Sequence, residues 1–187
     1  MILHSRDGRR REIIHLGHPV LRERAEAVAP ERLGTRFLRD LARDLVRTMF
    51  EDDGVGLAAP QIAAGVRVFA YYLPADKGQE EMQPRVLVNP ELTLLGERTE
   101  SAWEGCLSVP GLRGLVLRHP GVRVQAVDVE GEPINIEAEG FHARVIQHEF
   151  DHLDGIVFLD RMTDMSSLMF EPEWERYTKA TDLSVTG

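Results

Sequence analysis

Between Gln147 and Gly155 the chain reads Gln-His-Glu-Phe-Asp-His-Leu-Asp-Gly, and the histidine spacing limits the folds open to it. The run from Phe141 to Leu153 has helical periodicity, so His148 and His152, four apart, share one helix face. With His148 at zero and about 100° per residue, His152 falls at about 40° and Glu149 at about 100°. Phe141, Val145, Ile146, Phe150 and Leu153 lie on that side too. Arg144, Gln147, Asp151 and Asp154 take the arc from about 240° to 320° and are expected to face water. Two imidazoles and a carboxylate therefore point into a core, where a charge is costly unless paired, protonated or linked to a metal. The HExxH spacing lets both imidazoles bind one ion with Glu149 beside it as proton carrier. The bland alternative is a pair of satisfied core histidines next to a chance glutamate.

A catalytic metal usually has three protein ligands and one open position. Downstream acids such as Asp160 and Glu171 are candidates for the third, but no companion motif surrounds them. Upstream stands Glu104-Gly105-Cys106-Leu107-Ser108, with the only cysteine of the chain. A lone cysteine is often just a small buried hydrophobe. As a nucleophile with a histidine base it would leave the second histidine and Glu149 without roles. One thiolate and two imidazoles suit Zn(II) or Fe(II), and the residues alone do not choose between them. A third segment, Gly54 to Gln61, is glycine-rich but lacks the spacing and the Lys-Ser/Thr ending of a phosphate loop. Its small residues allow close backbone approach. Gln61, at its end, needs partners if buried and can donate to an oxyanion.

These segments sit in an ordinary globular chain. A length of 187 residues suits one compact domain. The single cysteine forbids an internal disulfide and suits a reducing compartment. Basic residues number 22 and acidic residues 31, a net charge of −9 that disfavours nucleic acid and anionic lipid. No apolar stretch is long enough to span a bilayer, and no signal or transit-like leader is legible, so the expected compartment is the cytoplasm.

From Leu33 to about Asp52, apolar residues recur at three- and four-residue steps, an amphipathic helix that Asp53-Gly54 ends. Strands are expected over 66–73, 85–88, 91–95, 112–117, 122–129 and 133–138, with a bend at Asn89-Pro90 and a polar loop over 76–84. Without regular βαβ alternation, the fold class is α+β: antiparallel or mixed sheets around a central HExxH helix, with an amphipathic helix near the N-terminus. One catalytic domain is expected over 1–165, followed by a tail over 166–187 that is partly helical or disordered.

Together the three segments resemble the peptide deformylase family, whose GxGxAAxQ, EGCxS and QHExDH motifs match Gly54–Gln61, Glu104–Ser108 and Gln147–His152 in order. The resemblance runs from about Ile13 to Arg161. It implies a metallohydrolase that removes the formyl group from the N-terminal formylmethionine of nascent peptides and releases formate. By the same resemblance Cys106, His148 and His152 bind one divalent metal per chain, Fe(II) first, replaceable by Zn(II), Ni(II) or Co(II). Glu149 is general base and then acid. The Gln61 side chain and the Leu107 backbone N–H form the oxyanion hole. Gly56 and Leu107 lie along the peptide backbone, and Val55, Phe141 and Val145 lie near the methionine pocket. Glu104 and Arg118 are placed for a structural ion pair. The implied partners are N-formylmethionyl peptides, with transient ribosome proximity but no direct nucleic-acid or membrane binding. A tail with more acids than bases argues against strong ribosome docking through it.

Overall fold

The computed structural model describes residues 7–75 and 81–178. Part of the 76–84 loop, and the tail from 179 onward, therefore lie outside the described residues. A five-stranded antiparallel sheet has the order β1 (Gly56–Ala58), β2 (Val68–Tyr71), β3 (Arg85–Leu95), β6 (Gly121–Val127), β7 (Pro133–Glu139). A second, three-stranded sheet is built from β4 (Glu100–Cys106), β5 (Val109–Arg118) and β8 (Met169–Phe170).

The large sheet is apolar on both faces because its central strands alternate between two cores. Val68, Ala70, Val86 and Val88 meet Leu38, Leu41, Leu45, Val46 and Met49 of helix α1 (Arg36–Glu51). Phe69, Tyr71 and Leu87, one residue out of step, meet Val145, Ile146 and Leu153 of helix α2 (Gly140–Leu153) on the other side. Each fully buried aliphatic side chain contributes about 1.5–3 kcal/mol, so this layering anchors both helices. Phe37, counted with the apolar residues of α1, instead lies exposed with the Arg32 guanidinium over its ring.

The region 85–95 is one strand with a bulge, not two strands. Its pairing with β6 shifts register between Val88 and Glu91, and Asn89 takes a left-handed φ of 50° there. Past residue 165 the chain continues through β8, which pairs with β5, into a short helix α3 (Glu171–Tyr177). No helix among the described residues is long and apolar enough to cross a membrane.

The expected water-facing arc of α2 is overturned. Gln147 and Asp151 are each 5 % exposed, whereas Phe141, placed on the inward side, is 56 % exposed. The small sheet covers the polar arc: Arg144 bonds the Val116 carbonyl of β5, and Arg118 of β5 bonds Asp151. A helical wheel gives the side of a helix but not what packs against it. Here a polar side meets a second sheet through ion pairs instead of water.

Candidate active site

Three chain segments converge between α2 and the small sheet. The hairpin of β4 and β5 shifts register between Glu104 and Cys106. Such a bulge re-aims the strand end, and Cys106 Sγ lies 3.3 Å from His152 Nε2. The ligand-type atoms of Cys106, His148 and His152 all fall within 4.8 Å of one another, and no other trio of this kind occurs among the described residues. The two imidazoles stand nearly edge to face, centroids 5.1 Å apart at 79°, and His148 stacks at 6.5 Å on Phe158. Neither downstream acid joins them. Asp160 bonds Arg22, and Glu171 bonds Arg113.

The other nitrogen of His148 is fixed: Nδ1 lies 2.9 Å from Glu104 Oε2. Glu104 also accepts from Arg118 Nε and Nη2, both at 3.0 Å, and from Arg144 Nη1 at 2.7 Å. Arg118 continues to Asp151 at 2.5 Å, which Arg161 grips from the other side at 2.7 and 3.1 Å. Burial opposes ionisation of Glu104. The bonds and charges of His148 and Arg118 outweigh it and hold the carboxyl well below the usual range. A carboxylate that orients a histidine in this way fixes its tautomer and leaves the second nitrogen for a ligand.

Glu149 is as deeply buried as Glu104 but differs in its partners. It is 4 % exposed, and its Oε2 has no hydrogen-bond partner among the described residues. Burial, helped by the Glu104 charge and opposed by His148 and Arg118, lifts its pKa to about 7. The backbone of β1 presses on this carboxylate: a β-carbon on Gly56 would lie 2.2 Å from Glu149 Oε1.

Gln61 is buried at the far side of the trio. Its Oε1 accepts from the Ala58 N–H at 2.8 Å, which leaves Nε2 to donate toward Ser108 Oγ at 3.2 Å and Cys106 Sγ at 3.5 Å. The N-terminal segment straps this corner, Ile14 N–H bonding the Gln61 carbonyl and Leu16 N–H the Ser108 carbonyl. His142, outside the trio, bonds the Tyr71 hydroxyl.

The donor chemistry fits a divalent transition metal. One thiolate and two imidazoles are the soft and borderline ligands such ions take. One imidazole has its second nitrogen on a carboxylate, and an unpartnered carboxylate oxygen stands beside the trio, as metal-assisted hydrolysis requires. The site opens into a cleft of about 610 Å³, whose lining includes Val55, Gly56, Gln61, Leu107, Phe141 and Val145. Sequence reasoning missed Arg144, Asp151 and Arg161. For Arg144 a signal existed, since it precedes His148 by four and must share its face.

Residues 10–167 match the family model described as polypeptide deformylase. Peptide deformylase 2 of Pseudomonas syringae pv. tomato is 43 % identical over 86 % of this chain and 91 % of its own length. Peptide deformylase of Desulforudis audaxviator is 47 % identical over 81 % of this chain and 93 % of its own. Among solved structures, the class I type b peptide deformylase of Acinetobacter baumannii with Met-Ala-Ser bound superposes with a TM-score of 0.78 at 36 % identity. That likeness covers 83 % of this chain and 99 % of the other.

Proposed function

The chain belongs to the polypeptide deformylase family, and we propose that it carries out deformylation with Cys106, His148 and His152 around one divalent metal and Glu149 as proton carrier. Members of this family are metal-dependent enzymes, and this one removes the formyl group from the N-terminal methionine of nascent peptides, releasing formate. The observation that carries the residue assignment is the convergence of one sulfur and two imidazoles beside a buried, unpartnered carboxylate oxygen.

Cys106, His148 and His152 would hold a divalent ion, Fe(II) by preference and exchangeable for Zn(II), Ni(II) or Co(II), which would supply Lewis acidity and lower the pKa of water from about 15.7 toward 7. Glu149 takes the proton of the attacking water on its free Oε2 and returns it to the departing amine nitrogen. Burial raises this carboxyl above its ordinary value, which favours its holding a proton between the two halves of that exchange. Gln61 Nε2 and the Leu107 backbone N–H donate to the oxygen of the tetrahedral species, each such donor contributing about 3 kcal/mol. Gly56 and Leu107 line the path of the extended peptide. Val55, Phe141 and Val145 surround the methionine side chain, where one methylene discriminates by about 1–3 kcal/mol. A formyl carbon carries only hydrogen, so a tight corner at the trio admits it and excludes acetyl. The Acinetobacter relative with Met-Ala-Ser bound supports that substrate class.

This chemistry is assigned to one catalytic unit over 1–165, working in the cytoplasm near the ribosome from which formylated chains emerge. The net charge of −9 speaks against direct binding to nucleic acid or to an anionic membrane.

Glu149→Ala is expected to keep its metal and lose formate release from formyl-Met-Ala-Ser, while Cys106→Ala loses the metal. Turnover by Glu149→Ala near the wild-type rate would contradict the proton-carrier role. A full metal complement in Cys106→Ala would contradict the ligand set.

A further inference from the structure

We propose that Glu171, paired with Arg113 on the wall of the cleft, sets the enzyme's preference for charge on peptide residues downstream of the formylated methionine. The C-terminal segment would then take part in choosing the substrate. The inference rests on the deformylase reading and extends it to a residue beyond the family match at 10–167.

Both side chains line the same cleft as Cys106, His148 and Glu149. Arg113 Nε and Nη2 donate to a single oxygen, Glu171 Oε1, at 2.9 and 2.5 Å. The side chains remain 31 % and 41 % exposed, so the pair is open to a ligand in the cleft. Its position is fixed by backbone. Strand β8 pairs Arg113 with Met169 and Leu112 with Phe170, which delivers Glu171 next in the chain. Ser167 Oγ accepts the Leu115 N–H at 3.2 Å, and the Arg113 guanidinium lies 4.7 Å over the Trp174 ring. Trp174 in turn meets Trp103, another lining residue, at 6.4 Å.

The charge balance gives this pair its consequence. Of the other cationic groups in the wall, Arg144 is committed to Glu104 and to two backbone carbonyls. An unmasked Arg113 would be the natural partner of an acidic peptide side chain. Glu171 cancels it, with both donated bonds falling on the one oxygen Oε1. Asp53 lines the cleft as well. Arg113, Glu171 and Asp53 together leave one negative charge on this part of the lining, and a concave, low-dielectric wall focuses such a field. A cationic side chain is favoured there and an anionic one is disfavoured.

The test compares kcat/KM for formyl-methionyl tetrapeptides carrying Lys, Gln or Glu at the second, third or fourth residue. Wild-type enzyme is expected to favour Lys over Glu at one of these positions, and rising salt should erase the preference. Glu171→Gln keeps an acceptor for Arg113 but removes the charge. It should lower the Lys-to-Glu ratio at that position by about twofold to fivefold, the scale of one half-exposed charge contact. Glu171→Asp, which restores the charge, should restore the ratio. An unchanged ratio at all three positions in active Glu171→Gln enzyme would overturn the inference alone. Absence of formate release from every peptide by the wild type would overturn the deformylase reading, and this inference with it.

Discussion

Gly56 and Glu149 meet so closely that no side chain fits at 56 while the carboxylate keeps its place. A β-carbon at 56 would stand 2.2 Å from Oε1 and 2.6 Å from Cδ of Glu149, so the carboxylate would have to give way toward the cleft. Gly56→Ala is therefore expected to push the carboxylate off its position. Misplacement of about 1 Å costs roughly 100-fold in rate, so kcat should fall by about that factor while metal content and fold persist. Formate release and metal stoichiometry on the same sample check this, and a variant as active as wild type would show that Glu149 has slack. At this scale His148, His152 and Glu149 were legible because a period of 3.6 residues places them together on any helix. Gly56 was legible only as a residue allowing close approach, since its partner lies far along the chain. Arg144, Asp151 and Arg161 were not legible as one network. It exists because a second sheet covers the polar arc of α2, and pairing between distant segments leaves no periodic trace.

Elements follow the same division. Helices α1 and α2 and the alternating strands β2, β6 and β7 carry enough apolar periodicity to be read locally. Strands β1, β4 and β8 do not: two are very short, and β4 is a mixture of polar and small residues held by its pairing with β5. The Asn89-Pro90 bend is an intermediate case, a turn signal that the sheet absorbs as a bulge within one strand. Its stability lies in tertiary contacts. Asn89 Oδ1 accepts the Val28 N–H and Nδ2 donates to the Val28 carbonyl, both at 2.8 Å, so one side chain satisfies both polar groups of a buried residue. Either substitution at 89 should cost about 1–3 kcal/mol per orphaned group. Asn89→Ala also pays the left-handed strain at φ 50°, about 1–2 kcal/mol, part of which glycine gives back in chain entropy. Asn89→Ala should thus be less stable than Asn89→Gly by about 0.5–1 kcal/mol, measured by urea unfolding. The reverse order would mean that the bulge relaxes when the two bonds are lost.

For the molecule as a whole, the question is what joins its two sheets. Cys106 ends a strand of the small sheet, while His148 and His152 belong to the helix seated on the large one. A shared ion would be a clamp between those layers. A second clamp is independent of any ion: Arg118 and Arg144 from opposite layers meet on Glu104, and Arg118 reaches Asp151. Both α1 and the apolar face of α2 also bury their core residues without reference to the trio. Chelated protein should therefore remain folded but lose the binding free energy of the ion. That loss is about 2.7 kcal/mol when free metal stands at 100 times Kd, a fall in Tm of roughly 5–10 °C for a chain of this size. The loosening should be local. Amide exchange is expected to quicken in β4, β5 and the second half of α2, where the ligands sit, and to stay slow in β2 and the centre of β3. Equal melting of chelated and loaded protein would count against a clamp at this site. Uniform acceleration through both sheets would mean that the ion, rather than the arginine–carboxylate network, holds the layers together.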